Sequence, residues 1–410
     1  MGARGAGILP GVSQEDNKPE PFKVRSLTGS VYLPNLLFAI GQGAALPVIA
    51  LLALDLGASP AMAGAIVALH GIGTLLFDVP SGILVARFGD RRAMTVATAV
   101  LGVIALAIGW RPSLPVYAGL ILVMGCAWSV WALARLSFAT ESAPLRHRGR
   151  VMSMMGGTMR IGQFVGPLIG GLAVVPLGLA GPFFVQAALA VAAALSLVLA
   201  PEGPTRKTLP EPVPVSMRQI ASNHRRTLGT AGFVAVTVQV LRSSRQAIIP
   251  LWGDQIGLNA SQVSLIFGAS SAIEMVLFYP IGMLMDRRGR KWAAIPCLIL
   301  LSVGMALVPL TSGFAGLLLV GLLLGFANGL GSGINMTLGS DLSPELGRSQ
   351  FLGLWRLVTD VGSAGGPLLV AIVTSLASLG AAPVAVALIG LLGTGVMWKA
   401  VPETLTEDLE

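Results

Sequence analysis

Seven ionisable side chains stand inside long apolar stretches of this 410-residue chain: Asp78, Arg160, Arg242, Arg245, Glu274, Arg356 and Asp360. If those stretches cross a bilayer, each charge costs roughly 2.5–3.5 kcal/mol at mid-depth. Seven such costs call for a use. The groups can neutralise one another, hold a polar or charged ligand, or exchange protons. A carboxylate withdrawn from water keeps its proton more readily than one in solution, so Asp78, Glu274 and Asp360 are the proton-coupling candidates. Metal chemistry is not indicated: the three His residues are scattered at 70, 147 and 224, and no Asp or His cluster forms a ligand set. No Gly-x-x-x-x-Gly-Lys-Ser/Thr loop is present to cradle a nucleotide, so no cofactor is expected. His70 could titrate near neutral pH, but a lone polar residue on a packed helix more often serves a hydrogen bond.

The elements that must position these charges follow from composition. The chain is 54% hydrophobic and 11% charged, too apolar for a soluble protein. Twelve windows of about 20 residues are long enough to cross a hydrocarbon core roughly 30 Å thick: 29–53, 61–85, 92–110, 115–138, 151–175, 181–200, 228–251, 261–285, 292–311, 314–338, 350–375 and 381–399. Their Gly and Ala content, as in "AVAAALSLVLA", suits helices in close contact rather than barrel strands, so an all-α membrane fold is expected. Residues 1–27 and 401–410 read as polar tails, without a signal peptide at the N-terminus. Segment 201–227, rich in Pro and charge, reads as a linker. Cys126 and Cys297 lie in apolar spans, where a buried hydrophobe is the ordinary role. The net charge of +8 falls on alternate loops. That one-sided bias places the basic loops, the linker and both termini in the cytoplasm and explains the charge without nucleic acid.

A repeat at 200 residues runs through the chain. Pro80 matches Pro280, Gly82 matches Gly282, Arg87 matches Arg287, Gly89 matches Gly289, and "IGQFVGPLI" at 161–169 matches "VGSAGGPLL" at 361–369. Six spans in each of 28–200 and 228–400 make two parallel halves. "GMLMDRRGRK" at 282–291 resembles the signature loop of the major facilitator superfamily, and its echo "GILVARFGDRRA" lies at 82–93. The resemblance implies a latch between conformations built on Gly82, Arg87, Gly89, Asp90 and Arg91 in the first half, and Gly282, Asp286, Arg287, Gly289 and Arg290 in the second. The first copy departs from the pattern: Ala86 takes the acidic place and Asp90 a basic one, implying either rewiring of Asp90 to Arg87 or Arg91 or a weakened latch. "GQFVGPLIGG" resembles the family's antiporter motif through Gly162, Gly166, Pro167, Gly170 and Gly171. The family's exporters often carry an Arg before the fourth-helix Gly. Here "LILVMGCAW" does not, and Arg135 is expected to snorkel to the cytoplasmic end.

The resemblance further implies that the second helix packs on the eleventh and the fifth on the eighth. At about 1.5 Å per residue, Asp78 and Arg356 sit at one depth, and Glu274 and Arg160 within reach of each other. Two ion pairs across the halves, Asp78 with Arg356 and Glu274 with Arg160, are therefore expected, against local pairing of Arg356 with Asp360. Arg242 and Arg245 lie in a helix whose family counterparts line the cavity, so they, with Gln42 and Asp360, are substrate-binding candidates. Trp128, Trp131, Trp355, Tyr32 and Phe38 read as packing. The function implied is secondary transport by alternating access in a bacterial inner membrane, in a monomer that exports a small organic molecule or drug against protons. The alternatives are uptake of a small polar or anionic metabolite, and a sensor that binds without transport. A membrane enzyme lacks the needed ligand clusters.

Overall fold

The computed structural model describes residues 27–200 and 216–404. Most of both expected tails and the first part of the linker lie outside these. Among the described residues there are no strands. Twelve long helices form two halves. The first half contains α1 (Thr28–Asp55), α2 (Pro60–Phe88), α3 (Asp90–Gly109), α4 (Leu114–Ser142), α5 (Arg148–Leu177) and α6 (Gly181–Leu199). The second contains α7 (Arg225–Gln255), α8 (Ala260–Arg288), α9 (Lys291–Leu307), α10 (Phe314–Asp341), α11 (Arg348–Leu376) and α12 (Ala381–Lys399). Among the described residues, ten helical stretches are long and apolar enough to cross a membrane, one of them, Arg148–Leu199, being α5 and α6 run together. The twelfth span is α7, whose Arg225, Arg226, Arg242 and Arg245 dilute its apolar character. Several helices run past their sequence-expected ends, α2 to Phe88 and α4 to Ser142. Helices of 29 residues exceed the about 20 that a bilayer needs.

Local chemistry sets the helix ends. Ser59 caps α2, its hydroxyl accepting from the Met62 amide at 3.2 Å, with Pro60 at the first helical position. Asn259 and Gln262 form a reciprocal capping box at α8. The turns from α2 to α3 and from α8 to α9 need positive φ, which Gly89 and Gly289 supply at +80° and +96°. A short helix, Met217–Asn223, leads into α7 inside the segment read as a linker.

The packing repeats with the sequence. α1 lies on α5 and α6, as α7 lies on α11 and α12, and α2 on α4, as α8 on α10. The halves meet along α2 with α11 and α5 with α8. Small residues let these backbones approach: Gly64 faces Ala371, Gly71 faces Ala364, and Ser261 Oγ donates to the Gly171 carbonyl at 2.8 Å. These contacts gather toward the face away from the basic loops. Among the described residues, no hydrogen bond or ion pair joins the halves closer to the basic face than Arg356 with Asp78.

Candidate functional site

The intramembrane charges gather in two clusters. In the first, Arg356 on α11 reaches across the seam to Asp78 Oδ1 on α2 at 3.1 Å. Its Nε also lies 3.5 Å from Asp360 Oδ2, one turn along α11. The cross-half and local pairings weighed in the sequence thus coexist, with one guanidinium shared by two carboxylates. Asp78 Oδ1 also accepts from Ser129 Oγ on α4 at 2.9 Å, while Oδ2 is buried without a partner. Ser363 Oγ lies 3.4 Å from Asp360 Oδ1. Three charges and two hydroxyls therefore leave one net negative charge and one open carboxylate oxygen, a composition that can accept a proton.

The second cluster lines a cavity of about 260 Å³ between the halves. Arg242 and Arg245 from α7, Glu274 from α8 and Arg160 from α5 supply its charge, three cations to one carboxylate. Gln163, Gln239, Gln246 and Asn328 add amides. Glu274 is bound on both oxygens: Arg245 Nη1 donates to Oε1 and Asn328 Nδ2 to Oε2, each at 2.7 Å. The expected Glu274–Arg160 pair is not formed. Depth alone did not distinguish Arg160 from Arg245, which faces Glu274 from the adjoining helix of the same half. The Arg160 guanidinium instead stacks on the Phe278 ring, 4.4 Å from its centroid. Phe278 occupies the repeat position of Asp78, so one seam carries an ion pair and the other a cation–π contact. Gln42 does not line the cavity; its neighbours Gly43 and Leu46 do. Buried Arg242 Nε, Arg245 Nε and Asn328 Oδ1 have no hydrogen-bond partner, leaving polar capacity for a ligand or water.

Twelve helices in two repeated halves, with a polar cavity at their joint, is the arrangement the loop motif implies. The family model of the Major Facilitator Superfamily matches residues 31–245 and 231–409. The chain belongs to the Major Facilitator Superfamily. It is 23% identical over 358 residues to multidrug resistance protein 2 of Bacillus subtilis (strain 168), covering 83% of this chain and 86% of that protein. It is 27% identical over 180 residues to the hexuronate transporter of the same organism, 43% and 42% of the two chains. Among solved structures it resembles a nucleoside transporter, with a TM-score of 0.74 at 12% identity over 93% of this chain and 100% of the other, a likeness of fold. The Major Facilitator Superfamily chain is thus a transporter and not an enzyme.

The superfamily loops differ from the sequence expectation. Asp286 is exposed and has no hydrogen-bond or ion-pair partner among the described residues. The acids that hold this loop come from elsewhere. Asp341 accepts from Arg290 Nε at 2.7 Å, and Glu403 accepts from the Arg290 and Lys291 amides at 2.8 and 3.1 Å. Glu403 lies in the segment read as tail, where only its position at the N-terminus of α9 gives it a role. Asp90 forms no ion pair with Arg87 or Arg91 among the described residues. Arg91 instead donates to the carbonyls of Leu197, at 3.0 Å from Nε, and Ala200, closing the end of α6. Lys291 repeats this at α12 through the Trp398 carbonyl. Arg87 lies over the Phe88 ring, and Gly82 and Gly282 face open space.

The antiporter-like stretch packs α5 on α1: a Cβ on Gly166 or Gly170 would stand 2.5 Å from the Ile40 or Ala44 carbonyl oxygen. Gly162 meets Ala39, Pro167 meets Gly43, and Gly171 turns to α8. Arg135 does not snorkel. It donates to Asn35 Oδ1 at 2.8 Å and lies 4.7 Å over Trp131, because an interior acceptor and a ring are within its reach. Phe38 and Trp131 are buried face to face, consistent with packing, and the His70 ring tilts against Trp128. Asn328, Gln163, Gln239, Gln246 and Ser129 are among the site residues the sequence did not single out; as uncharged polar groups in apolar spans they gave little signal.

Proposed function

We propose that this transporter exports small organic molecules bearing an anionic group, in exchange for protons, and binds them in the cavity between its halves. The observation that carries this reading is the cavity's three arginines against one carboxylate. A carboxylate or phosphate on the ligand would take the place that Glu274 holds on Arg245, and would meet Arg160 and Arg242 in the same cavity. The basic loops are cytoplasmic on this reading, in a bacterial inner membrane, so the described state is open toward the cytoplasm. Export is supported by the antiporter-like stretch and by the multidrug resistance relative. Proton exchange is assigned to the Asp78–Arg356–Asp360 group. A proton on either acid releases Arg356 to the other, and only Asp78 lies across the seam, so protonation and the joint between halves are coupled.

The test is flux in liposomes loaded with a pH dye, challenged with anionic, neutral and cationic compounds. Anionic compounds should move with opposed proton flow, which Asp360→Asn abolishes and Arg245→Gln weakens at the binding step. Equal handling of cations, or flux without proton movement, would remove the basis of the proposal. Uptake is the second reading, favoured by the small polar cavity and the hexuronate relative. Accumulation in right-side-out rather than everted vesicles would select it, and ligand binding with no flux would select a sensor.

A further inference from the structure

The basic face of the second half holds a cavity unrelated to the central one. About 450 Å³ lies between the starts of α7 and α9, the end of α12 and residues 400–402. Three cations line it, Arg226, Lys291 and Lys399, together with Thr227 and Thr230. No carboxylate is among its described lining residues. The side chains of Arg226 and Lys399 are exposed and have no hydrogen-bond or ion-pair partner among the described residues, the Arg226 carbonyl accepting from Thr230 Oγ1 at 2.9 Å. Lys291 Nζ donates to the Trp398 carbonyl at 3.2 Å, which fixes its ammonium at the rim. Glu403, next to the lining Pro402, accepts from the amides of Arg290 and Lys291, and its one charge stands against the three cations that line the cavity.

Sidedness demands basic residues on this face, but not their convergence on one cavity. The repeat supplies the comparison. The positions equivalent to Arg226 and Lys399 are Ser26 and Leu199, and the equivalent of Lys291, Arg91, is committed to the carbonyls of Leu197 and Ala200. The sequence therefore carries this set of three cations in the second half and not at the equivalent positions of the first. We propose that the cavity binds the phosphoryl group of an anionic ligand at the membrane surface, from a lipid headgroup or a soluble phosphate. The cations neutralise it, the Thr227 hydroxyl can donate to it, and the apolar wall at Leu342 and Val401 accepts the adjoining carbon skeleton. A ligand there would tie together the ends of α7, α9 and α12.

The experiment uses the purified full-length protein in phosphatidylcholine nanodiscs, with melting temperature followed as phosphatidylglycerol is added to the lipid or inorganic phosphate to the buffer. Both reagents are compared on wild type, R226Q/K399Q, and R146Q/R150Q, which removes two exposed cations from the first half's basic face. Each cation near an anionic surface contributes about fivefold in affinity, so R226Q/K399Q should need about 25-fold more ligand for the same shift. R146Q/R150Q should respond like wild type. A shift with phosphatidylglycerol alone identifies a lipid headgroup, and a shift with phosphate identifies a soluble ligand. If neither reagent shifts wild type, or R226Q/K399Q responds as wild type does, the proposal is overturned. Lys399→Gln alone, exposed and unpartnered, serves if the double variant is not recovered, with about fivefold weakening expected.

Discussion

Glu274→Gln separates two roles that one carboxylate now plays. Both Glu274 oxygens accept from donors, Arg245 on one and Asn328 on the other. An amide can satisfy one donor but turns its own N–H groups toward the second. The pair is well buried, 14% exposed on Arg245 and 7% on Glu274, so water only partly repairs the loss. Leaving a buried guanidinium without its counter-ion costs about 3 kcal/mol, the low end of the usual range because the cavity is polar. With an unfolding entropy of about 2 cal/mol/K per residue, that corresponds to a fall of about 3–4 °C in Tm. Ligand binding should move the other way, since the cavity changes from three cations against one acid to three against none. Coulomb's law gives about 3 kcal/mol for unit charges about 6 Å apart at an effective dielectric constant of about 20. Allowing half of that, anionic ligands should bind about tenfold tighter. Thermal unfolding and equilibrium binding on the same preparation read both quantities. Arg245→Gln should lose stability and anion affinity together. A Glu274→Gln protein that melts within about 1 °C of wild type, or binds anions no tighter, would refute the charge balance argued for the cavity.

In the shared triad, Arg356→Gln should impair flux more than Asp78→Asn or Asp360→Asn, because it leaves two carboxylates without their common cation; equal losses in reconstituted transport would contradict sharing. Gly71→Val should reduce flux more than about tenfold while preserving expression, since even a Cβ there would stand 2.7 Å from the Ala364 backbone across the seam. Its check is faster labelling of a Ser363→Cys probe from the face away from the basic loops. Arg91→Gln removes the bonds to the Leu197 and Ala200 carbonyls and should lower Tm by about 2–3 °C. Lys291→Gln, with a single carbonyl partner, should lower it by about 1 °C.

The twelve spans and the repeat were legible because each depends on position along the chain, and position is what a sequence records; the α2–α11 pairing followed only from the family resemblance. Asp78 and Arg356 could be matched by counting residues from the helix ends. Counting did not separate Arg160 from Arg245 as a partner for Glu274, because both come within reach of its depth and the choice rests on rotation about the helix axes. The loop near Asp286 was misread for a related reason. The acids that hold it, Asp341 and Glu403, are 51 and 113 residues from Arg290 and are brought back only by the packing of the second half. Arg135 was assigned by its distance from the helix end, and an uncharged asparagine on α1 drew it inward instead.

The break in α10 at residues 331–333 has a consequence for how the cavity communicates. Between Phe314–Leu330 and Ile334–Asp341 the helix is interrupted, with Gly333 at φ +84°, and the Gly331 carbonyl accepts from Arg242 Nη2 at 2.7 Å. Arg242 thus adds a second donor to a carbonyl that also accepts from the Ile334 amide at 3.2 Å, while lining the cavity. A ligand that draws Arg242 toward itself takes a partner from the interrupted turn, and a turn that re-forms its own bonding releases Arg242 to the ligand. By thermodynamic reciprocity, ligand occupancy and the shape of α10 are then one equilibrium read at two places. Amide exchange at residues 331–334 that responds to ligand in wild type but not in Arg242→Gln would register it, and the same exchange in both would disprove it.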